Sequence, residues 1–337
     1  SMKWWPITRF LLSRLAGSLV VLLIIAVASF AIFYMLPNDP AQLSCGKPCT
    51  PERLAEVRAY MGIDKPWLVQ LGAFLWGIVA GRTFGSGQAA IECAAPCFGY
   101  SFRLRADVSD LLADRIPVTL SIAIGALVLW TVVGVAMGTW AALRRGRFTD
   151  RALTGLSVVG VSAPTYLVGL LFILLFGFTL NVLPIGGYVA FTDSPFQWAF
   201  HLILPWVTLA IINAAIYVRF TRGSMLDIMS QDFIRTSRAI GLTEGQVVGR
   251  HGLRNLVVPI ATLVALDFGS LLGGAVVTEK VFSIQGVGSL LLDAVNNLDV
   301  QLVVGVTLFA ALAVVLANFL VDVVYGILDP RIGAPTS

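Results

Sequence analysis

Four cysteines are the residues whose types and spacing indicate chemistry most directly. They form the pattern Cys-x-x-Pro-Cys twice, at Cys45 and Cys49 and at Cys93 and Cys97. An even number of cysteines confined to one segment predicts disulfides if that segment lies outside the reducing cytoplasm. The connectivity stays open here, with a preference for the two local pairs. A structural zinc site is the competing interpretation. A redox catalytic role is less favoured, because thioredoxin-type motifs have two intervening residues instead of three.

Other residue types that could support catalysis do not form a recognised motif. The sequence has no G-x-x-x-x-G-K-[ST] loop, so we expect no P-loop ATP site in this chain. His201 and His251 lack H-E-x-x-H spacing, and no G-x-S-x-G turn occurs. We therefore expect that the chain is not an enzyme and binds no metal or cofactor itself. Any energy source would have to be another subunit.

A charged segment between two apolar stretches, residues 230–254, has the pattern of a docking surface. Ser230 is placed to cap a short helix, and Gly241 is placed to end it. Thr243 and Gln246 then form the pattern of a capping box that begins a second helix. We call this predicted helix–glycine–helix unit the knuckle. A solvated loop is the alternative, although a plain loop needs no capped helices.

Polar side chains also interrupt the apolar stretches, at Asn213, Asp267 and Asn318. A carboxylate inside a bilayer is costly and normally faces a water-filled cavity or a partner. These residues are therefore candidates for a translocation path. Asp267 is predicted to contact a solute or to bond to a neighbour such as Asn213, and both alternatives stay open. For Asp322, nearer one end, a structural pair with an arginine is favoured.

Composition places these residues in a membrane protein. Hydrophobic residues make up 57% of the 337 and charged residues only 12%, whereas soluble domains carry about 25% charged residues. About 20 apolar residues are enough to cross a bilayer. The predicted spans are Leu15–Leu36, Pro117–Leu143, Ala152–Leu183, Phe196–Tyr217, Leu256–Val277 and Leu302–Leu328. The predicted fold class is all-α integral membrane with six transmembrane helices, in which the small residues Gly134 and Gly138 serve helix packing.

Positive charge indicates the orientation of these spans. Arginines and lysines precede the first span and fill the second and fourth connections, so both termini are expected in the cytoplasm. The first span has no A-x-A cleavage site, and we expect it to be retained. Because the arginines are scattered over the inner connections, nucleic-acid binding has little support.

The long segment between the first two spans is then predicted to lie outside the cytoplasm. It holds all four cysteines and helical patterns at Pro51–Met61 and Trp67–Val79, which indicates a small external cap. The predicted divisions are 1–36 for the N-terminal segment and first helix, 37–116 for the cap, 117–328 for the helical core, and 329–337 for a cytoplasmic tail.

Several short motifs follow one another along almost the whole chain. They are Leu36-Pro-Asn-Asp-Pro-Ala41, Gly62-Ile-Asp-Lys-Pro66, Arg115-Ile-Pro-Val-Thr-Leu120, Leu183-Pro-Ile-Gly-Gly-Tyr188 and Glu279-Lys-Val-Phe-Ser-Ile-Gln-Gly286. Together with the knuckle, their order resembles that of the dipeptide and oligopeptide permeases of ABC importers. Arg235-Thr236-Ser237 stands where the wider superfamily has Glu-Ala-Ala, which favours the peptide branch. Gln285 replaces the usual proline.

The resemblance implies a type I ABC importer permease with the MetI-like fold, in a bacterial cytoplasmic (inner) membrane. The implied partners are a homologous second permease in a heterodimer, two cytoplasmic ATPase subunits that bind ATP and Mg, an extracytoplasmic solute-binding protein, and the lipid bilayer. The knuckle would dock onto the ATPase. Its expected contact residues are Asp232, Phe233, Arg235, Thr236, Ser237, Arg238, Ala239, Gly241 and Leu242.

The resemblance also implies roles and a cargo. Arg235 and Arg238 would meet acids on the ATPase, and Gly241 would permit close approach. The apolar anchor would consist of Phe233, Ile234, Ala239 and Leu242. Di- or oligopeptides are the implied cargo, with nickel chelates or haem as the alternative because related permeases share the motifs. A secondary transporter is less favoured, since it would need ion-coupling groups in the spans.

Overall fold

Long apolar helices make up most of the chain. The computed structural model describes residues 5–35, 39, 41–42, 45, 48–85, 90–272 and 275–328. Its helices are α1 (Trp5–Met35), α2 (Pro51–Met61), α3 (Trp67–Ala80), α4 (Val108–Leu143), α5 (Phe148–Ser162), α6 (Thr165–Phe172), α7 (Pro195–Met229), α8 (Asp232–Ala239), α9 (Glu244–Gln246), α10 (Arg254–Leu272), α11 (Val276–Val281), α12 (Val287–Asn296) and α13 (Val300–Leu328). Ile173–Thr179 continues α6 as a π-helix, and Val247–Leu253 joins α9 to α10 in the same way.

The described helices contain five long apolar segments that could each cross a membrane. A sixth crossing results if α5 and the α6 helix, which are bent by 100° at their junction, count as one span. The expectation of one continuous helix over 152–183 is therefore wrong. The break lies at Ala163 and Pro164, both in extended conformation. A proline disfavours helical geometry in the residue before it, which explains the bend.

Two other helices extend well beyond the apolar spans predicted for them. The predicted second span starts at Pro117 but α4 starts at Val108, and the predicted fourth span ends at Tyr217 but α7 ends at Met229. Hydropathy detects only residues that suit hydrocarbon, whereas a helix continues wherever its backbone bonds and packing persist. The first added turns of α4 are held by the buried side chains of Val108 and Leu112.

The chain divides into two compact units. One consists of residues 1–119, 272–276 and 285–316, and the other of residues 120–271, 277–284 and 317–337. The division predicted from the sequence, with boundaries after residues 36, 116 and 328, stays a prediction.

Each unit has its own packing. In the first unit, Phe74 of α3 is buried among Ala26 of α1 and Leu308 of α13. In the second unit, α4 crosses α7 closely at its glycines: a Cβ on Gly134 would lie 2.4 Å from the Cβ of Tyr217. A Cβ on Gly138 would meet Thr221 at 2.7 Å. The packing role predicted for these two glycines is confirmed.

The predicted cap segment contains α2 and α3, as expected, and also two short antiparallel hairpins. The hairpins are β1 (Arg82–Phe84) with β2 (Ile91–Cys93), and β3 (Tyr100–Ser101) with β4 (Ala106–Asp107). These strands were not predicted in an all-α protein, because they are only two or three residues long. The cysteines are joined locally, Cys45 to Cys49 and Cys93 to Cys97. Both local pairs agree with the preferred connectivity, and the bonded sulfurs are not available as zinc thiolates.

The two disulfides are expected to differ in importance. Cys93 and Cys97 are both buried in one cluster with Phe84 and Tyr100, whereas in the other pair Cys45 is buried but Cys49 is exposed. Changing Cys93 and Cys97 together to serine should therefore increase tryptic cleavage of the cap more than changing Cys45 and Cys49. The transmembrane helices should keep their protection in both variants. Limited proteolysis with mass mapping under non-reducing conditions measures this, and equal cleavage of the two double variants would contradict it.

Candidate functional site

The knuckle follows α7 with almost no connecting chain. Helix α8 starts at Asp232, one residue after its N-cap Gln231. The expectation that Ser230 caps α8 is wrong: Ser230 ends α7, and its hydroxyl donates to the carbonyl of Asp227 at 2.7 Å. Ser230 ends α7 and Gln231 caps α8, so only these two residues separate the first helix of the knuckle from a membrane-spanning helix.

Helix α8 has one buried side and one exposed side. Ile234 is fully buried and Ser237 is 7% exposed, with the Ser237 hydroxyl donating to the carbonyl of Phe233 at 2.7 Å. The exposed side carries Asp232, Arg235, Thr236 and Ala239. The proposed anchor role of Ile234 is therefore wrong, because its side chain packs inside the chain. Sequence reasoning assigned it by polarity alone.

The buried side rests on the π-helix that follows. Val247 is fully buried, and a Cβ on Gly252 would lie 3.1 Å from the sulfur of Met225 in α7. The ring of Phe233 meets His251 edge-on, with centroids 6.3 Å apart. The π-helix thus contacts both α8 and the end of α7 and connects the two.

Gly241 forms the turn between α8 and α9. Its φ is +90°, a conformation that L-residues rarely adopt, and nothing lies within 4 Å of the position where a Cβ would stand. The Gly241 N–H donates to the carbonyl of Arg238 at 3.0 Å, and that of half-buried Leu242 donates to Ser237 at 3.3 Å. Glycine is therefore required here by backbone conformation and leaves an open surface. That this openness permits close approach of an ATPase stays a prediction.

Two interactions close the turn. The predicted capping box is confirmed: the Gln246 N–H donates to the Thr243 hydroxyl at 3.4 Å, and the Thr243 N–H donates to Gln246 Oε1 at 3.0 Å. Arg238 donates to both carboxylate oxygens of Glu244, at 2.7 and 3.2 Å. Arg238 thus already has an acid within the knuckle, which sequence reasoning missed because the turn that brings the two together depends on Gly241.

The outer surface of the knuckle is apolar as well as charged. Ile240 is 74% exposed and Phe233 is 38% exposed. Arg235 is also exposed, and its only described acidic neighbour, Asp232, is 3.8 Å away and itself exposed. Ile240 was not among the predicted contact residues, although its place beside Gly241 could have indicated it. An exposed isoleucine and an exposed arginine in one short segment suit a docking surface.

An ion pair anchors α7 where it approaches the knuckle. Arg222 of α7 donates to Asp150 of α5 through Nε at 2.5 Å and Nη2 at 2.8 Å. The Gly146 N–H also donates to Asp150, at 3.0 Å. Asp150 is 4% exposed, so its charge depends on these donors. The pair connects α5 to the helix that carries the knuckle.

The polar residues of the spans have separate surroundings. Asn213 donates to the carbonyl of Leu209 in its own helix at 2.8 Å, and Asn318 is exposed. Asp267 accepts a hydrogen bond from the hydroxyl of Tyr217 at 2.7 Å. Asp267 therefore does bond to a neighbour, as one of the two alternatives predicted, but the neighbour is Tyr217 and not Asn213. Tyr217 was not predicted as the partner because its aromatic ring makes it count as apolar in a hydropathy pattern. The side chain of Asp322 lies outside the described part of the structure.

Two family models together match almost the whole chain. The model of binding-protein-dependent transport system inner membrane components matches residues 134–334, and that of the N-terminal part of such membrane components matches residues 7–123. The chain belongs to this family. It is a multi-pass membrane protein and a permease component of ABC importers. The predicted family is confirmed, and the secondary-transporter interpretation loses its support.

Relatives of this permease match it end to end. A putative peptide transport system permease protein of Brucella abortus (strain 2308) is 38% identical over 325 residues, which are 96% of this chain and 99% of the relative. The glutathione transport system permease protein GsiC of Salmonella choleraesuis (strain SC-B67) is 37% identical over 324 residues, 96% of this chain and 98% of the relative.

A solved structure shows the same fold. It is described as inward-facing conformations of the MetNI methionine ABC transporter, and it aligns with a TM-score of 0.50 and 18% identity. The alignment covers 66% of this permease and 97% of the other chain. The predicted MetI-like fold class is confirmed.

Proposed function

We propose that this permease imports di- or oligopeptides as part of an ATP-driven complex. Support comes from the two relatives above, one named for peptide transport and one for transport of glutathione, itself a short peptide. Both match at least 37% of positions over nearly the full length. The permease would form half of the path and a homologous second permease the other half. An extracytoplasmic binding protein would deliver the peptide.

The knuckle is the proposed docking surface for the ATPase. The observation that carries this role is the combination of an exposed outer surface, with Ile240 and Arg235, and a buried inner side next to the π-helix 247–253, which itself contacts α7. A short helix held in this way can fit into a groove on the ATPase. When the ATPase changes between its two conformations, the helix would move with it and shift the attached membrane helix. ATP and Mg would bind to the two ATPase subunits, and none to this chain.

The proposed orientation follows from the docking role. The knuckle and both termini would face the cytoplasm of a bacterium, with the permease in its inner membrane, in agreement with the distribution of arginines. The cap would then lie outside, where its disulfides are chemically stable. Asn213, Asp267 and Asn318 remain the proposed path residues.

Reconstitution of the complete complex in proteoliposomes tests the proposed function. Uptake of a labelled tripeptide should require ATP and the binding protein, and should cease when this permease is omitted. A complex that takes up nickel chelates or haem but no peptide would contradict the proposed cargo and leave the importer role intact.

Asp267 provides a separate prediction about the path. Asp267→Asn keeps the shape and removes the charge, and a hydrogen bond to a charged group contributes about 1.5–3 kcal/mol, so uptake should fall roughly tenfold or more. Complex assembly and basal ATP hydrolysis should survive. The matched control is Tyr217→Phe, which removes the hydroxyl that donates to Asp267 but keeps its carboxylate. Unchanged uptake by Asp267→Asn, or loss of assembly, would remove Asp267 from the path.

A further inference from the structure

The predicted cap contains a cavity that the transport mechanism does not use. It has a volume of about 550 Å³ and lies between α2, α3 and β1. Ligand pockets are typically about 300–1,000 Å³, so the space is large enough for a small molecule. The lining combines apolar residues with three charged ones, Glu56, Lys65 and Arg82.

Arg82 is the unusual member of this lining. Its guanidinium carbon lies 4.5 Å from the centre of the Phe84 ring, and Phe84 is 1% exposed. Its side chain passes close to α3, where a Cβ on Gly77 would stand 3.2 Å from the Cβ of Arg82. Burial lowers the pKa of this guanidinium, because the charged form loses water. The arginine is thus held in place by packing.

Arg82 has no described anionic partner. The described ion pairs involve other arginines, and the nearest aromatic contact, to Phe84, accepts no classical hydrogen bond. A guanidinium offers five N–H donors in a planar fork that matches a carboxylate. A half-buried cation with unused donors beside a cavity therefore favours an anionic ligand.

The remaining walls make the cavity suitable for more than a simple anion. Glu56 supplies the opposite charge, and Val69 and Ala73 supply an apolar wall. Gln70, another lining residue, is held in place by its amide, which donates to the carbonyls of Ile63 and Lys65 at 3.2 and 2.7 Å. A short peptide has this combination of groups: a carboxylate at one end, an ammonium at the other, and side chains between them.

We propose that this cavity binds the free C-terminal carboxylate of a short peptide through Arg82. The inference rests on the proposed function, because it takes the cargo class from it. It adds a peptide site outside the membrane path, formed by this chain alone. Peptide would be held at the predicted cap by its terminus, whatever its side chains.

The test is binding of labelled trialanine and of its C-terminal amide to the full-length permease in lipid nanodiscs. Trialanine should bind at least tenfold more tightly than the amide, since only the carboxylate accepts charge-assisted hydrogen bonds from the guanidinium. Arg82→Gln should abolish this preference, and Arg82→Lys should retain part of it. Arg53→Gln is the matched control, because Arg53 is an exposed arginine of α2 that does not line the cavity. Resistance of the cap to trypsin under non-reducing conditions, compared with the wild type, verifies that each variant is folded.

Four results would overturn the inference. Equal binding of trialanine and the amide would exclude recognition of the carboxylate, and an unchanged preference in folded Arg82→Gln would exclude Arg82. If trialanine does not bind but Arg82→Gln weakens association of the solute-binding protein, the carboxylate belongs to an acidic side chain of that protein. ATP-dependent uptake of trialanine by the complete wild-type complex is measured in parallel. Uptake without binding to the cavity would refute only this inference, whereas absence of uptake would refute the proposed cargo.

Discussion

Gly241→Trp should abolish ATP-driven uptake while the permease still inserts into the membrane and assembles. With φ at +90°, any side chain at this position strains the turn, and a left-handed conformation costs an L-residue about 1–2 kcal/mol. The indole would also project into the open space beside Ile240, where the ATPase is proposed to dock. Uptake and substrate-stimulated ATP hydrolysis in proteoliposomes measure the effect, which we expect to be a loss of at least tenfold in both. Normal coupled uptake would contradict the docking role of the knuckle.

Smaller substitutions distinguish the effect of backbone strain at Gly241 from the effect of side-chain volume. Gly241→Ala adds the strain with little volume, so we expect a partial loss of uptake. Gly245→Ala is the matched control, because Gly245 has equally open surroundings within 4 Å and no positive φ. It should leave uptake close to wild type. Equal effects of the two alanines would show that the backbone conformation of Gly241 is unimportant.

Asp150→Ala should strongly destabilise the permease, because it removes one partner of the ion pair between α5 and α7. It leaves Arg222 without the carboxylate that both its Nε and Nη2 contact. Removal of one partner of a buried ion pair costs about 3–5 kcal/mol; we expect about 3, the lower end, because Arg222 is 27% exposed. Thermal unfolding of the purified permease measures the loss. Since α7 carries the knuckle, coupled ATP hydrolysis should fall as well.

Two variants serve as controls for this pair. Arg219→Ala removes an exposed arginine from the same helix and should change stability by no more than about 0.5 kcal/mol. The double variant Asp150→Ala with Arg222→Ala should be no less stable than Asp150→Ala alone, because the isolated cation is gone. A single Asp150→Ala variant as stable as wild type would contradict the structural role of the pair.

The membrane helices could be predicted from the sequence because hydrocarbon imposes a strong and local requirement on about 20 residues at a time. Their ends and breaks could not be predicted in the same way. Pro164 alone does not predict a 100° bend, because the size of the bend depends on the packing of the two halves against their neighbours. The early start of α4 depends on packing of Val108 and Leu112 against buried residues that are distant in sequence, such as Leu290 and Leu302.

The same limit applies to the knuckle and the path residues. Capping at Thr243 could be predicted because the capping box is a local pattern of four residues. The burial of Ile234, the exposure of Ile240 and the pairing of Asp267 with Tyr217 depend on contacts between elements. A helix of eight residues is too short for its hydrophobic periodicity to indicate which side faces the rest of the chain.

Site-specific photo-cross-linking at Ile240 tests the central claim most directly. A photoreactive amino acid in place of Ile240, 74% exposed, is compared with one in place of Phe191, 56% exposed in the connection before α7. Phe191 precedes α7 and Ile240 follows it, so the two positions lie beyond opposite ends of the same membrane-spanning helix. In the complete complex in native membranes, we predict that position 240 cross-links to an ATPase subunit and that position 191 does not. A cross-link to the ATPase from position 191 alone would contradict the docking of the knuckle and the proposed orientation of the permease.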